Sequence, residues 1–571
     1  MKNNYKITPI IICSMFLFQI FSVGVISQSQ NIKKIELISN EGFDLLIITP
    51  EKYVDLIQPL IDHKITIGIK TTLKTTNEIY NSENGRDSAE KIKFFIKEMK
   101  EESSITYVLF IGDIEDIPSR YSHIYFDEPF DYPTPDEWVF PTDFYYADLY
   151  NKNGSFSSWD TNENDVFAEF HWNGNNDDFD LIPDIYIGRL ACTNEQQVQT
   201  CVSKIIYYEE NQIWSKNWFS NLVLIAGDGI PYDEEKIIES EYLQEQIIDI
   251  MEGFIPNCVW ASNGRLNNAY NINDAIEDGA GFVFFNGHGS HNLWANYLPE
   301  SNILVPPGCY RTDHIDELTN LEQLPIVVSD ACYHLQYDKY PECFGWSFVS
   351  NPNGGSIAFI GGSDTDLAYA GTRIVEKGIE KFDLKLCALY QQGITHLGDL
   401  WGNALIDYQP GEDDLVDIIT ILENHLFGDP SLQIAETHSH PPFKPYPPTG
   451  TLDGKIHISY NYTAVTTDPD GDELYYLFDF GDDTMSQWIG PIPSGSECLV
   501  SHSWTKKGSY EIKVKAKDST GLMSEWSEPT RISMPKSTIT NYIESLHYIL
   551  RIQRILTQIE HFFFEIQEKK S

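Results

Sequence analysis

Phe282-Val-Phe-Phe-Asn-Gly-His288-Gly-Ser290 and Pro325-Ile-Val-Val-Ser-Asp-Ala-Cys332 decide how this chain is read. Each is a short β-branched and aromatic run that stops abruptly in small and polar residues. Such runs read as buried strands of a parallel sheet. In open α/β sheets, ligands bind in the crevice beyond the carboxyl ends of the strands. The two runs therefore bring a His and a Cys to the tips of what are expected to be neighbouring strands. One suits a base, the other a nucleophile. A Cys–His dyad of Cys332 and His288 is the leading expectation.

Working outward, Asp44-Leu-Leu-Ile-Ile-Thr-Pro50 predicts a first strand running into a helix, with Thr49 as cap, Pro50 in the first turn and Val54, Ile57 and Ile61 as its apolar stripe. Thr66-Ile-Gly-Ile-Lys70 predicts a second strand. Asp87-Ser-Ala-Glu90 has the form of a capping box before Ile92, Phe95, Ile96 and Met99. Tyr107 to Asp113 predicts a third strand, and this β-α-β-α-β alternation implies a parallel sheet. The stretch from Ile117 to Pro183 lacks periodicity and reads as a long ordered loop region of functional type. After it come a strand at Ile185 to Arg189, a helix capped by Asn194, a strand at Asn221 to Asp228 and a helix around Ile237 to Met251. Ser356 to Asp364 predicts a strand beyond the Cys332 run. The expected fold class is α/β, with two related subdomains at 31–214 and 215–437.

His438 to Pro448 is a proline-rich linker. From 449 to 534 the pattern changes to short alternating strands, at Lys455 to Tyr460, Leu474 to Phe480 and Tyr510 to Ala516, as in a β-sandwich. Residues 535–571 carry an amphipathic helical pattern. At the other end, Met1-Lys-Asn-Asn-Tyr-Lys6 precedes a nearly charge-free run from Ile7 to Ile26. A basic start before an apolar core is the form of a secretory signal, assigned to residues 1–28. Its length also suits a retained anchor. The expected location is secreted or cell-surface.

The chain has 571 residues with a formal net charge of −46, which argues against nucleic acid as a partner because phosphate binding needs a basic face. Of the nine Cys, Cys13 lies in the signal, and the other eight show no CxxC pair and no zinc spacing. A catalytic sulfur must stay reduced, so Cys332 is expected to be unpaired. Cysteine hydrolysis also needs an oxyanion hole, for which the amides of Gly289 and Cys332 are candidates. Asp228, at a preceding strand end, is a candidate His-orienting acid. Asp160, Asn162, Asn164 and Glu169 place oxygen side chains at spacings that suit calcium, although the spacing is not that of a full EF-hand.

The His-Gly and Ala-Cys stretches resemble the signatures of gingipain-type cysteine peptidases, relatives of caspases and legumains. Thr142 to Asp148, Pro183 to Arg189, Asn353 to Gly361 and Leu426 to Ser431 resemble the same family. The resemblance implies a caspase-like catalytic unit with Cys332 as nucleophile, His288 as the catalytic His that protonates the leaving amine, and Gly289 as an oxyanion donor. It also implies structural calcium and no cofactor for catalysis. Gingipains are best known for cleaving after Arg or Lys, and Asp148, Asp364 and Asp366 are candidates for an acidic substrate pocket, although specificity does not transfer. Trp346 stands where many members carry Glu. Thr467 to Asp472, Phe478 to Thr484, His502 to Trp504 and Gly508 to Asp518 resemble a PKD domain, an immunoglobulin-like module that implies a cell-surface protein or polysaccharide partner. Two function classes follow. One is an exported cysteine endopeptidase acting on proteins or peptides, of which a maturation enzyme for surface proteins is a variant. The other is a surface adhesion or binding protein on a peptidase-derived scaffold.

Overall fold

The computed structural model describes residues 42–125, 137–211, 213, 216–232, 235–408, 415–434, 442–468, 472–519, 521 and 523–534. The signal segment, the first part of the Pro-rich linker and the C-terminal amphipathic pattern lie outside them. No helix among the described residues is long and apolar enough to cross a membrane.

Up to residue 434 the strands are β1 (Leu45–Thr49), β2 (Thr71–Thr75), β3 (Tyr107–Ile111), β4 (Arg120–Tyr125), β5 (Glu137–Thr142), β6 (Glu169–Phe170), β7 (Tyr186–Leu190), β8 (Asn221–Ala226), β9 (Ile255–Trp260), β10 (Phe282–Phe285), β11 (His288–Ser290), β12 (Leu293–Tyr297), β13 (Leu304–Arg311), β14 (Ile326–Ser329), β15 (Ala358–Gly362) and β16 (Asn424–Phe427). Ten of them make one sheet, in the order β2-β1-β3-β7-β16-β15-β14-β10-β8-β9. β1, β3, β10, β14 and β15 are buried along their whole length, which is why they read as unbroken apolar runs.

The sheet is parallel within each half. β16 joins the halves, pairing parallel to β7 and antiparallel to β15. The two halves therefore run in opposite directions. That reversal brings the start of β16 to the end of β15, with Asn424 opposite Gly362.

Several local expectations are corrected. The helix predicted after the first strand runs over Val54–Thr66, and the second strand lies at Thr71–Thr75 rather than at 66–70. Ile67, taken as a strand residue, is 47% exposed. The main chain turns there instead: the amides of Ile67, Gly68 and Ile69 bond back to His63, Ile65 and Lys64, and Gly68 sits at φ +97°, where glycine ends a helix without strain. Thr49 does not cap the helix, since its hydroxyl donates to the Ile111 carbonyl across the sheet (2.9 Å). The stretch read as a long loop region carries its own small sheet, β5-β4-β6.

Beyond the linker, β17 (Thr449–Gly450), β18 (Tyr460–Ala464) and β21 (Cys498–His502) form one sheet, and β19 (Leu474–Asp479), β20 (Ile489–Ile492), β22 (Gly508–Lys517) and β23 (Thr530–Met534) form another. Tyr462, Phe478, Trp504 and Val514 pack between them in a separate core. The predicted strand at 455–460 begins only at Tyr460.

Candidate active site

β10 and β14 are adjacent and parallel, with Phe285 opposite Ser329. His288 and Cys332 each follow three residues later, so equal extensions from paired strand ends bring them to the same rim. The two extensions are tied together. Asn286 Nδ2 donates to Asp330 (2.8 Å) and to Asp383 (3.1 Å), and the amide of Gly287 donates to Asp330 (2.8 Å). Gln244 in turn donates to Asn286 Oδ1 (2.7 Å).

Glycine is required on both sides of the His. Gly287 sits at φ +144°, and a Cβ there would lie 2.5 Å from Asn296 Nδ2. A Cβ on Gly289 would lie 2.6 Å from the Cys332 carbonyl oxygen. The His-Gly strand thus rests directly on the Cys turn, and the two oxyanion candidates, Gly289 and Cys332, adjoin one another. Tyr333, next after the Cys, is held at φ +62°, a left-handed conformation that is uncommon for a bulky residue. Its amide donates to the Asp364 carbonyl (2.7 Å), and its hydroxyl accepts from Thr365. Strain of this kind concentrates at functional turns.

His288 is exposed, and its Nε2 bonds to the carbonyl of Gly229 (2.7 Å). That carbonyl lies one residue past Asp228. The Asp228 carboxylate accepts from the amide of Glu300 (3.2 Å), so the contact on the imidazole belongs to the neighbouring main chain. Cys332 is half-buried, and its thiol donates to the Asp366 carbonyl (3.7 Å). Among the described residues no hydrogen bond joins thiol and imidazole. Burial pushes the thiol up to about 12, and the charges of Glu423 and Asp330 add to this, against the contact with Asp366. Burial therefore favours the neutral form of this thiol. A second histidine, His334, is closer to Cys332 in sequence but is fully buried. It bonds Ser329 (2.8 Å) and the Leu293 carbonyl (3.2 Å), stacks on Phe344, and is pushed down to about 3 by burial. It is a packing histidine.

Asp330, Asp366, Glu380, Asp383 and Glu423 form a cluster of carboxyl groups behind the thiol. Glu423 arrives through the β16 reversal, where its carbonyl accepts from Ser363 (3.1 Å). The charge of Glu423 helps to raise Asp366, and none of the four carboxyl oxygens of this pair has a hydrogen-bond partner among the described residues. Burial raises all five, with Asp330 and Glu423 reaching about 7. Between the ordinary carboxyl value near 4 and about pH 7, the folded chain then binds more protons than the unfolded one, so these groups make stability fall as pH rises through that window. Replacing Glu423 by Gln is expected to flatten this dependence. Melting curves from pH 4 to 8 check it, with the variant gaining on the wild type as pH rises; a constant difference contradicts the assignment.

Of the acidic pocket candidates, Asp366 belongs to this cluster. Asp364 is half-buried beside Tyr333 and lines a cleft of about 600 Å³. Asp148 is not brought to the rim. It is fully buried, accepts from Trp159 Nε1 (2.5 Å) and Ser157 (2.9 Å), and is raised to about 6 by burial against the attraction of Lys93. Trp346 is fully buried within a short helix at Phe344–Ser350.

The N-terminal half braces the Cys turn. Arg189 grips Asp143 through two bonds (2.6 and 2.8 Å), Ser119 donates to Asp143 (2.6 Å), and Ser119 also bonds Tyr337 (2.5 Å), five residues past the Cys. Asp160, Asn162, Asn164 and Glu169 do gather in one turn. Glu169 accepts from both Asn side chains (2.7 and 3.0 Å), and Asp160 takes Arg86 and the amides of Asn164 (2.9 Å) and Asp165 (3.1 Å). These oxygens accept from N–H donors within the turn and from Arg86. Among the described residues no group of three or more His, Cys, Asp or Glu is set to hold a metal ion.

A sheet of this topology with a Cys and a His on paired strand ends is the build of a caspase-like cysteine peptidase. Residues 38–435 match the model of peptidase family C25, and residues 456–529 match that of the PKD domain. The chain belongs to peptidase family C25. It is similar to gingipain R2 of Porphyromonas gingivalis, 24% identical over 414 residues that cover 69% of this chain and 46% of that protein. An uncharacterised protein of Archaeoglobus fulgidus is 24% identical over 416 residues, covering 64% of this chain and 88% of its own. The chain spans about half the length of the gingipain R2 it matches. In fold it resembles the crystal structure of the Arg-specific cysteine proteinase gingipain R, with a TM-score of 0.50 and 17% identity over 87% of this chain and 99% of that one.

Proposed function

We propose that the chain is an exported cysteine endopeptidase. The observation that carries this is the β10–β14 register, with His288 and Cys332 at equal offsets beyond it and Gly289 seated on the Cys turn. Cys332 Sγ bonds to the substrate carbonyl carbon as the thiol proton passes to the His288 imidazole. The amides of Gly289 and Cys332 receive the oxyanion. The imidazolium returns its proton to the leaving amine as the C–N bond breaks, leaving a thioester. Water then gives a proton to His288 and its oxygen to the acyl carbon, and the C–S bond breaks as that proton passes from His288 to the sulfur, restoring the thiol. The resting separation of thiol and imidazole suits a His whose main task is protonating the amine, because catalytic contacts tighten once substrate binds.

The substrate side chain preceding the cut is proposed to be basic, as in the names Arg-specific gingipain R and Lys-gingipain carried by relatives. The support is the acid cluster behind Cys332, where Asp366 and Glu423 have no cationic partner among the described residues. The test is labelling by an Arg- or Lys-bearing acyloxymethyl ketone, with the adduct located by mass spectrometry. Label on Cys332 that vanishes in His288→Ala supports the reading. A folded protein untouched by a broad probe panel overturns it.

The neutral thiol favours one other reading, a surface-binding protein with little catalysis, and that untouched outcome would favour it. Export rests on the Ile7 to Ile26 segment. No step runs through a metal. For the 160–169 turn we propose calcium as an added structural ligand: calcium given to chelator-treated protein should raise its Tm, and an unchanged Tm removes the proposal.

A further inference from the structure

The cleft of about 600 Å³ opens beside both reactive residues. Ser290, two residues past His288, lines one side, and Tyr333, next after Cys332, lines another. The third side is Glu137-Trp138-Val139 of β5. Among the described residues β5 is an edge strand, paired with β4 alone in its small sheet.

The register settles which of its main-chain groups face out. His123 of β4 lies opposite Val139, but the His123 amide donates the other way, to Ala168 (3.2 Å). His123 and Val139 are therefore a pair that exchanges no hydrogen bonds, and the N–H and C=O of Val139 point away from β4. Pro141, two residues on in the same phase, confirms the direction. Its carbonyl accepts from Ser363 (2.9 Å) and His425 (3.2 Å), both beyond the edge. So the outward carbonyl of Pro141 is bonded within the fold, while the next outward groups along the strand, the N–H and C=O of Val139, are presented to the cleft.

We propose that this edge is a substrate-docking strand: an extended segment of the polypeptide substrate pairs with the main chain of β5 at Val139 and runs through the cleft to Cys332. The inference rests on the peptidase reading above. It commits to the substrate because the cleft is continuous with the turns that carry His288 and Cys332. Strand addition of this kind takes its affinity from main-chain bonds, so it tolerates varied side chains. It also makes the enzyme prefer substrates with several residues flanking the cut.

The experiment compares a single-residue basic amide with a peptide of about ten residues, reading kcat/KM for each. Val139→Pro deletes the outward N–H, at a phase where Pro141 already shows that proline is accommodated. It is expected to lower the long-to-short ratio of kcat/KM about five- to tenfold, through KM, as the loss of one main-chain bond would. Val139→Ala, which keeps the N–H, is expected to retain the wild-type ratio. A ratio unchanged in Val139→Pro overturns the proposal, as does an equal loss on both substrates. The same peptide is titrated by fluorescence anisotropy into Cys332→Ala and into Cys332→Ala/Val139→Pro. Equal Kd values overturn the docking strand independently of turnover. Absence of any cleavage by the wild type, with the Kd difference intact, would instead fall on the peptidase reading.

Discussion

Replacing Cys332 with Ala is expected to remove peptidase activity to below detection, and His288→Ala to lower kcat by about 10²- to 10⁴-fold. In the proposed mechanism the two differ because the sulfur would form and break the acyl bond, for which no other described group at this rim substitutes. The imidazole would speed proton transfers that water can make slowly. Neither change should disturb the fold. His288 is exposed with a single bond to Gly229, and Cys332 has one weak contact to a carbonyl. Unfolding curves that overlay the wild type, measured beside kcat, separate loss of chemistry from loss of structure. His334→Ala is the control. Its ring fills a sealed site between Ser329, Leu293 and Phe344, so its removal should lower Tm together with activity. Appreciable turnover by Cys332→Ala would end the assignment.

The largest expected loss of stability is at Lys64. Its ammonium is fully buried between Glu209 (2.6 Å) and Asp429 (2.8 Å), and both partners are buried as well. Burial alone would push this Lys down, yet Asp429 and Glu209 outweigh it and hold it above its ordinary value. Removing one member of such a group leaves charges buried without compensation, which costs about 3–5 kcal/mol. Lys64→Met should show that loss in denaturant unfolding, and Lys64→Met/Glu209→Gln/Asp429→Asn should recover much of it. The three residues come from the Val54–Thr66 helix, the Glu195–Glu210 helix and the loop after β16, so the ion group pins both helices to the strand that joins the halves of the sheet. A loss below 1 kcal/mol would mean that water reaches the group.

The strand ends were legible because burial on both faces forces unbroken apolar runs and a polar stop marks where the chain leaves the sheet. His288 and Cys332 lie at such stops, and the helix caps at Asp87 and Asn194 were equally readable, since capping is a contact over three residues. Beyond that range the sequence lost its hold. The strand expected at 66–70 went to the helix end because Gly68 permits a left-handed turn there, a choice that apolar periodicity does not encode.

By itself, then, the sequence determined the α/β class, the β-sandwich module and the two residues at the rim, because each rests on local burial patterns or on motifs of a few neighbours. The tertiary structure alone decided the rest. The reversal at β16 puts Glu423 against Asp366, some sixty residues away in the chain. The carbonyl of Gly229 takes the imidazole that Asp228 was expected to hold. Asp148 is sealed inside with Lys93, and the edge of β5 is turned toward the Cys turn. Each of these depends on which strand lies beside which and in which direction. That is fixed by the packing of the whole sheet, through contacts between residues far apart in sequence.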